Sequence, residues 1–580
     1  MPDVGTPARR ANRSLPRQQR IDLQASRAPT NREWCDAVTD IGASGVIGPV
    51  ERRLKLQDRT SSRLSTKGLL VALSLVAYET GHRALIVQVV KLLNSFTPKR
   101  LNELAMPHWP NNSSGYDLVQ RRVTQLTEAL NEGWAEVNTE TGEIFDFDID
   151  WYTRSIQRST VPVELVKGAA LAVDGTDMES CGQFHSGETE IVHDGEAQYP
   201  NDEDETDNPK SKTVKTRRAK VLGIGPDSRK IYTRDTDARA GHRTATNTRP
   251  TKLYVGRELH LGVAVSALDH TDRIAYANLG RPVPQVVITS ALVPAGAHRA
   301  KAVVDGVIEA HQSGLCSEVL VDGGYSLSKP EHFHQRLHEA GIDQTIRILT
   351  HQRGPHGSIG DAVLVDGQPF SGHLPTGEHQ LDMPGRNADD ATRRACVEKF
   401  NERAKLRYTV HTKKADGTVR YKCPFCAGRA HSPKFPRTMK SRNKNSRLVQ
   451  PGKTAKTCCN GVVTADTDVT FLDQKTIFGT TAWWKAWGRR NIVESANAAF
   501  HGEYVDIGRN YTRFLKTTKI QMFLAHTIAG YNRRTVKHWR RLRELCDTQA
   551  PVKAKRKARK NRRRRYEDLP SAKTDTNSDP

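Results

Sequence analysis

The stretch VLVDGGYSLSKPEH, Val319 to His332, holds an apolar run, an aspartate followed by two glycines, and a helix start. Val319–Val321 reads as a buried strand, and Ser328-Lys-Pro-Glu331 as a capping-box start for the helix that follows. Asp322 then sits at the carboxyl end of a strand in a helix-covered sheet, the edge where such folds place ligands. A plain Asp-Gly turn is the rival reading, because AVLVDGQPF around Asp366 has the same local pattern and suits a hairpin.

Working outward, LAVDGT ends an apolar strand at Asp174 in the same way. Adjacent strands of one sheet would bring Asp174 and Asp322 close enough for each to raise the other's proton affinity, unless a hard cation lies between them. Magnesium suits such a place, since it accepts one or two carboxylates and keeps waters that a substrate phosphate displaces. From Val161 to Thr350 the elements read strand, strand, strand, helix, strand, helix, strand. That order predicts an α/β fold, a mixed sheet with helices on its faces.

Around this unit the composition shifts. Residues 1–60 are rich in Arg, Ser and Pro and are expected to stay mobile or to order on DNA, and residues 61–160 carry helical periodicity, as expected of a helical domain that reads DNA ends. The α/β domain begins at 161 and runs to 350; residues 351–470 form a basic, Pro/Gly-rich insertion, 471–545 return to helices, and 546–580 are a basic tail.

The stretch AWGRRNIVESANAAFH, 486–501, supplies a third acid. At about 100° per residue Trp487, Glu494 and His501 share the face of Arg490, while Ile492, Val493, Ala496, Ala499 and Phe500 fall opposite. An arginine, a carboxylate and a histidine on one face suit a phosphate and a metal; an ordinary surface Arg/Glu pair is the plainer alternative.

Four motifs in order, VDGT at 173–176, TRDTDARAG at 233–241 followed by YVGRELHLGV, LVDGGYS at 320–326, and Trp487-x2-Arg490-x3-Glu494-x6-His501, resemble the DDE transposases of bacterial insertion sequences. The similarity is to the branch with a Tyr-x2-Arg-x3-Glu-x6-Lys signature and covers 161–350 and 471–530. Trp487 stands where that branch has tyrosine and His501 where it has lysine, so a phosphate contact by His501 depends on protonation near about pH 6.5.

The resemblance implies an RNase H-like catalytic domain in which Asp174, Asp322 and Glu494 hold two Mg2+ or Mn2+ ions, with Trp487, Arg490 and His501 on DNA. It also implies phosphodiester cleavage at element ends, joining of 3′-OH ends to target DNA, and a homodimer on DNA. Two other readings stay open: a nuclease of the same fold that cuts without joining, and a zinc-containing DNA-binding derivative without catalysis.

Of the nine cysteines, Cys423, Cys426, Cys458 and Cys459 cluster as KCPFC and KTCCN. Four thiolates suit one tetrahedral zinc, Cys-x2-Cys being a usual half-site, with His431 as an alternative ligand. Free thiols in a reducing cytosol are the plainer alternative. Gly452-Lys453-Thr454 lacks the first glycine of a phosphate loop and reads as a turn, and Trp483 and Trp484 read as core.

The chain has 580 residues, 89 lysines and arginines against 65 acids, and a net charge of +24. Ten of the basic residues lie between Lys553 and Arg565; without them +14 remains, so the body itself attracts a polyanion, and DNA is the expected partner. The stretch Ser186–Asn208 has nine acids and no Lys or Arg, and reads as a solvated insert. The longest apolar run, GLLVALSLVAY at 68–78, is short for a membrane span, which predicts a cytoplasmic, nucleoid-associated protein.

Overall fold

A computed structural model describes residues 27–548, apart from 60–62, 111–113, 188, 191–217, 244–251, 268–282, 297–298, 386, 415–417, 452–460, 467 and 503. Residues 1–26, most of Ser186–Asn208, Gly452-Lys453-Thr454, Cys458, Cys459 and the Lys553–Arg565 tail therefore lie outside the described residues.

The helical part starts well before residue 61. Helices α1 (Asn31–Ala43) and α2 (Ile47–Leu56) occupy a region expected to be mobile. Thr30 and Glu33 form a capping box at the start of α1, and Trp34, Ala37, Ile41, Val50 and Leu54 are buried at helical spacing. This apolar stripe outweighs the polar composition around it. Helices α3 (Thr66–Ala77), α4 (Ile86–Leu93), α5 (Ser114–Glu132) and α6 (Ile149–Arg158) complete the layer, and α3 is buried along its whole length.

Strands β1 (Ala170–Glu179), β2 (Lys252–Val265), β3 (Val287–Pro294), β4 (Glu318–Val321) and β5 (Asp343–Ile346) form a mixed sheet in the order β3-β2-β1-β4-β5. β2 pairs antiparallel with both β1 and β3, and β4 runs parallel to both β1 and β5. A short strand, Arg239–Arg243, pairs with the start of β2. Helix α7 (Arg299–Gln312) follows β3, and α8 (His334–Glu339) follows β4.

The capping box expected at Ser328 is not used. A single helical turn starts earlier, at Gly323, with Asp322 as its N-cap, and the 3-10 turn Pro330–His332 that follows has no side-chain cap.

Between β5 and the next helix lies the insertion, with α9 (Asp390–Ala404), its own core, and a three-stranded antiparallel sheet of β6 (Thr409–Lys413), β7 (Val419–Lys422) and β8 (Val462–Ala465). Asp366 here has φ of 51° and Gly367 of 69°, which joins two strands as a tight hairpin, the plain Asp-Gly turn that its sequence allowed. The chain then forms α10 (Thr481–Trp487), a 3-10 turn (Gly488–Arg490), α11 (Asn491–Phe500) and the long α12 (Thr517–Thr548).

Side chains alternate across the sheet and both faces are covered. Leu171, Val173, Val319 and Val321 pack with Val303, Val304 and Val307 of α7 and Leu337 of α8. Ala170, Ala172 and Leu320 share the other core with Val493, Ala496 and Phe500 of α11, with α12, and with the N-terminal helices. The helical layer is thus continuous with one face of the sheet through α12. Among the described residues no helix is long and apolar enough to cross a membrane.

Trp34 shows how tightly the N-terminal helices are held: its ring meets Phe96 edge-on at 5.0 Å, and its Nε1 donates to Glu103 at 3.0 Å. Trp34→Ala is expected to destabilise the fold by roughly 3–5 kcal/mol in urea unfolding. An unchanged midpoint would show that α1 is not part of the core.

Candidate active site

Parallel pairing sets Glu318, Val319 and Leu320 of β4 beside Ala170, Leu171 and Ala172 of β1. Carried two residues further, the same register sets Asp322 beside Asp174, and side-chain alternation turns both toward the face that α11 covers. The third acid arrives from a different direction. α10 packs on β5, the 3-10 turn on β4 and β1, and α11 on β1 and β2, so the chain crosses the sheet with Glu494 in its path.

Arg489 fixes this crossing. Its Nη2 donates to both Glu318 oxygens, at 2.8 and 2.7 Å, and its Nη1 to the Ser266 carbonyl at 3.0 Å, in a buried ion pair. The next residue, Arg490, faces the acids: it lies 3.4 Å from Asp322, 3.8 Å from Asp174 and 3.2 Å from Glu494. Among the described residues Arg490 is the one cation within ion-pair distance of these acids, and the three carboxylates outnumber it. Exposure rises from 18% for the Asp174 side chain to 35% for Asp322 and 61% for Glu494, so the cluster opens outward along Glu494.

Burial, reinforced by the Asp322 charge, pushes the Asp174 carboxyl up to about 7. Burial also disfavours the Arg490 charge, but the acids around it more than compensate and hold it above the ordinary arginine value. As the side chains stand, no group of three His, Cys, Asp or Glu among the described residues could share an ion. The three acids meet around a guanidinium.

The donor set nevertheless suits a hard cation. Three carboxylates face one arginine, and a residue missed in the sequence, Asn497, stands beside them: its Nδ2 donates to Asp174 at 3.4 Å and its buried Oδ1 has no partner. Asn497 lies three residues beyond Glu494, and that helical spacing was the available signal.

The other expected site residues are placed differently. Trp487 stacks on Trp483 at 5.3 Å and donates to the Val321 carbonyl at 3.4 Å, with the Arg490 guanidinium 5.8 Å from its ring, so it braces the end of β4. His501 follows the end of α11 and its Nε2 is 2.7 Å from the Thr176 hydroxyl, two residues from Asp174. Behind the acids, His260 hydrogen-bonds the Tyr325 hydroxyl at 2.8 Å, and a Cβ at Gly175 would lie 2.7 Å from the His260 ring. A Cβ at Gly323 would lie 2.4 Å from Leu349, so that glycine serves close packing.

In the insertion, Cys423 is buried. Cys426 is exposed in the turn after β7, and His431 is 2.9 Å from the Ser446 hydroxyl. The Cys423 N–H donates to the Gly461 carbonyl at 2.9 Å, which ties this turn to the segment that follows Cys458 and Cys459. Cys458 and Cys459, the other two members of the expected zinc quartet, lie outside the described residues.

No protein-family model, no curated protein and no solved structure matches this chain.

Asp174 couples the site to stability. Between its ordinary value of 3.8 and about 7 the folded state keeps a proton that the unfolded chain has lost, so this group's contribution to stability falls as pH rises through that window. In EDTA, Asp174→Asn is expected to raise stability by about 1–3 kcal/mol at pH 8 and to change it little near pH 4. Equal shifts at both pH values would contradict the assignment.

Proposed function

We propose that this chain is a metal-dependent DNA transposase with an RNase H-like catalytic domain. The observation that carries the reading is that Asp174, Asp322 and Glu494, from three distant segments, converge on Arg490 at one rim of one sheet. Supporting it are the strand order, with three antiparallel strands followed by two parallel ones, and the helix with the third acid laid across the same face. The basic insertion falls between the fifth strand and that helix.

In this reading Asp174, Asp322 and Glu494, with Asn497 beside them, hold Mg2+ or Mn2+. Such ions, when bound, supply Lewis-acid polarisation of the scissile phosphodiester and neutralise charge on the leaving oxygen. The chain's own residues do the rest. Arg490, released from the carboxylates, presents its planar guanidinium to a nonbridging phosphate oxygen. Water attacks phosphorus in line and the 3′ oxygen leaves with a proton; the freed 3′-OH then attacks target DNA in the same way. Trp487 and Arg489 keep α11 in register on the sheet, and Thr176 orients His501 at the edge of the site. Two copies on DNA would hold two element ends together.

Incubation with Mg2+ and DNA carrying the flanking terminal repeats of the element should yield nicked ends and joined products. Asp322→Ala is expected to lower both by at least about 100-fold while salt-sensitive DNA binding persists. Undiminished cleavage by that variant would remove Asp322 from the site, and cleavage without joining would make the chain a nuclease.

The cysteine quartet enters as a structural zinc site in its reduced form. Elemental analysis of protein purified under reducing conditions should find about one zinc per chain, lost in Cys426→Ser. Reduced protein without zinc would remove the quartet from the metal sites.

A further inference from the structure

Beside the acids, a groove of about 1020 Å3 runs between α11 and α12. One wall carries Asn491, Glu494 and Ser495 of α11, and the other Arg534, His538 and Trp539 of α12. Glu494 belongs to both the acid cluster and the groove, so the two are continuous.

We propose that this groove is a binding track for the single nucleic-acid strand that adjoins the phosphodiester at the acids. From Arg533 to Arg543, α12 has six lysines and arginines and no acid. Arg533 turns away to Asp36 and Asp40, and Arg540 lies 4.0 Å from Glu164, whereas Arg534 is exposed at the groove with its guanidinium 5.4 Å from the Tyr504 ring. Trp539 is half-buried, with Arg543 at 5.0 Å from its ring. The groove therefore combines the Arg534 guanidinium with the Trp539 ring and apolar lining from Leu542, Pro284 and Ala498. A single strand matches that combination, since it offers phosphates to the cations and unstacked bases to the ring, whereas a duplex shows its outside as phosphate and keeps its base faces stacked. The chain's own basic tail is a poor occupant, because the Lys553–Arg565 charges repel those of α12.

The identity of the strand rests on the proposed function, but its binding does not need the acids. Fluorescence anisotropy in EDTA with a labelled single-stranded DNA of about 12 nucleotides, and with a blunt duplex of the same sequence, separates the two claims. Trp539→Ala and the surface charge reversal Arg534→Glu are each expected to weaken the single strand by roughly ten-fold or more and the duplex by less than about three-fold. A 5-iodouracil-substituted strand should photocrosslink to the peptide containing Trp539.

Unaltered single-strand affinity in both α12 variants, each shown folded by its thermal transition, would overturn the track, as would crosslinks confined to other segments. If the α12 variants lose the strand while no DNA is ever cleaved, the track stands and the transposase reading fails. If cleavage depends on Asp322 while both variants bind normally, the reverse holds.

Discussion

Two carboxylates set side by side on adjacent parallel strands, Asp174 within β1 and Asp322 just past the end of β4, repel one another, and this fold places them there by register. Every backbone hydrogen bond between β1 and β4 helps hold Asp174 against Asp322. Burial adds to the cost for Asp174, whose proton affinity rises accordingly. What offsets this is Arg490, and Arg490 is positioned by its neighbour: the buried Arg489–Glu318 pair anchors the 3-10 turn to the start of β4 and leaves the next guanidinium to face the acids. A cluster of this kind costs stability relative to apolar packing of the same volume.

The rest of the architecture supports that rim. α12 joins the N-terminal helices to the face of the sheet on which the acids stand, and α11 is held between them. The same arrangement leaves a groove along the exposed side of α11, with the basic side of α12 as its far wall. The insertion has a separate core, and the segment that leaves it is tied to the sheet by Gln344, whose Nε2 donates to the Phe471 and Asp473 carbonyls at 2.6 and 2.9 Å.

Much of this was legible in the sequence. The apolar runs before Asp174 and Asp322 are strands because short buried strands need no polar face, and the order from β1 to β5 follows the pattern read from Val161. The Arg490–Glu494 pair was legible from helical spacing, and Trp483 packs in the core as expected. What failed had local causes. A straight helix was assumed through Gly488–Arg490, whereas the 3-10 turn there changes the phase and sends Trp487 against the strand end. Asp322 caps its own helical turn, so the Ser328 signal was overridden. α1 was hidden because its few apolar residues sit among charges, and Asn497 because its one signal, the three-residue step from Glu494, is common to any helix. The strand order itself comes from pairings between segments far apart in the chain, which no local pattern encodes.

The most direct measurement is the anomalous scattering of manganese in crystals of the protein grown with Mn2+. The account predicts density for manganese within coordinating reach of Asp174, Asp322 and Glu494 together, with the Arg490 guanidinium moved off the carboxylates. Manganese absent from this rim, or bound by one of the acids while Arg490 keeps the other two, would contradict it.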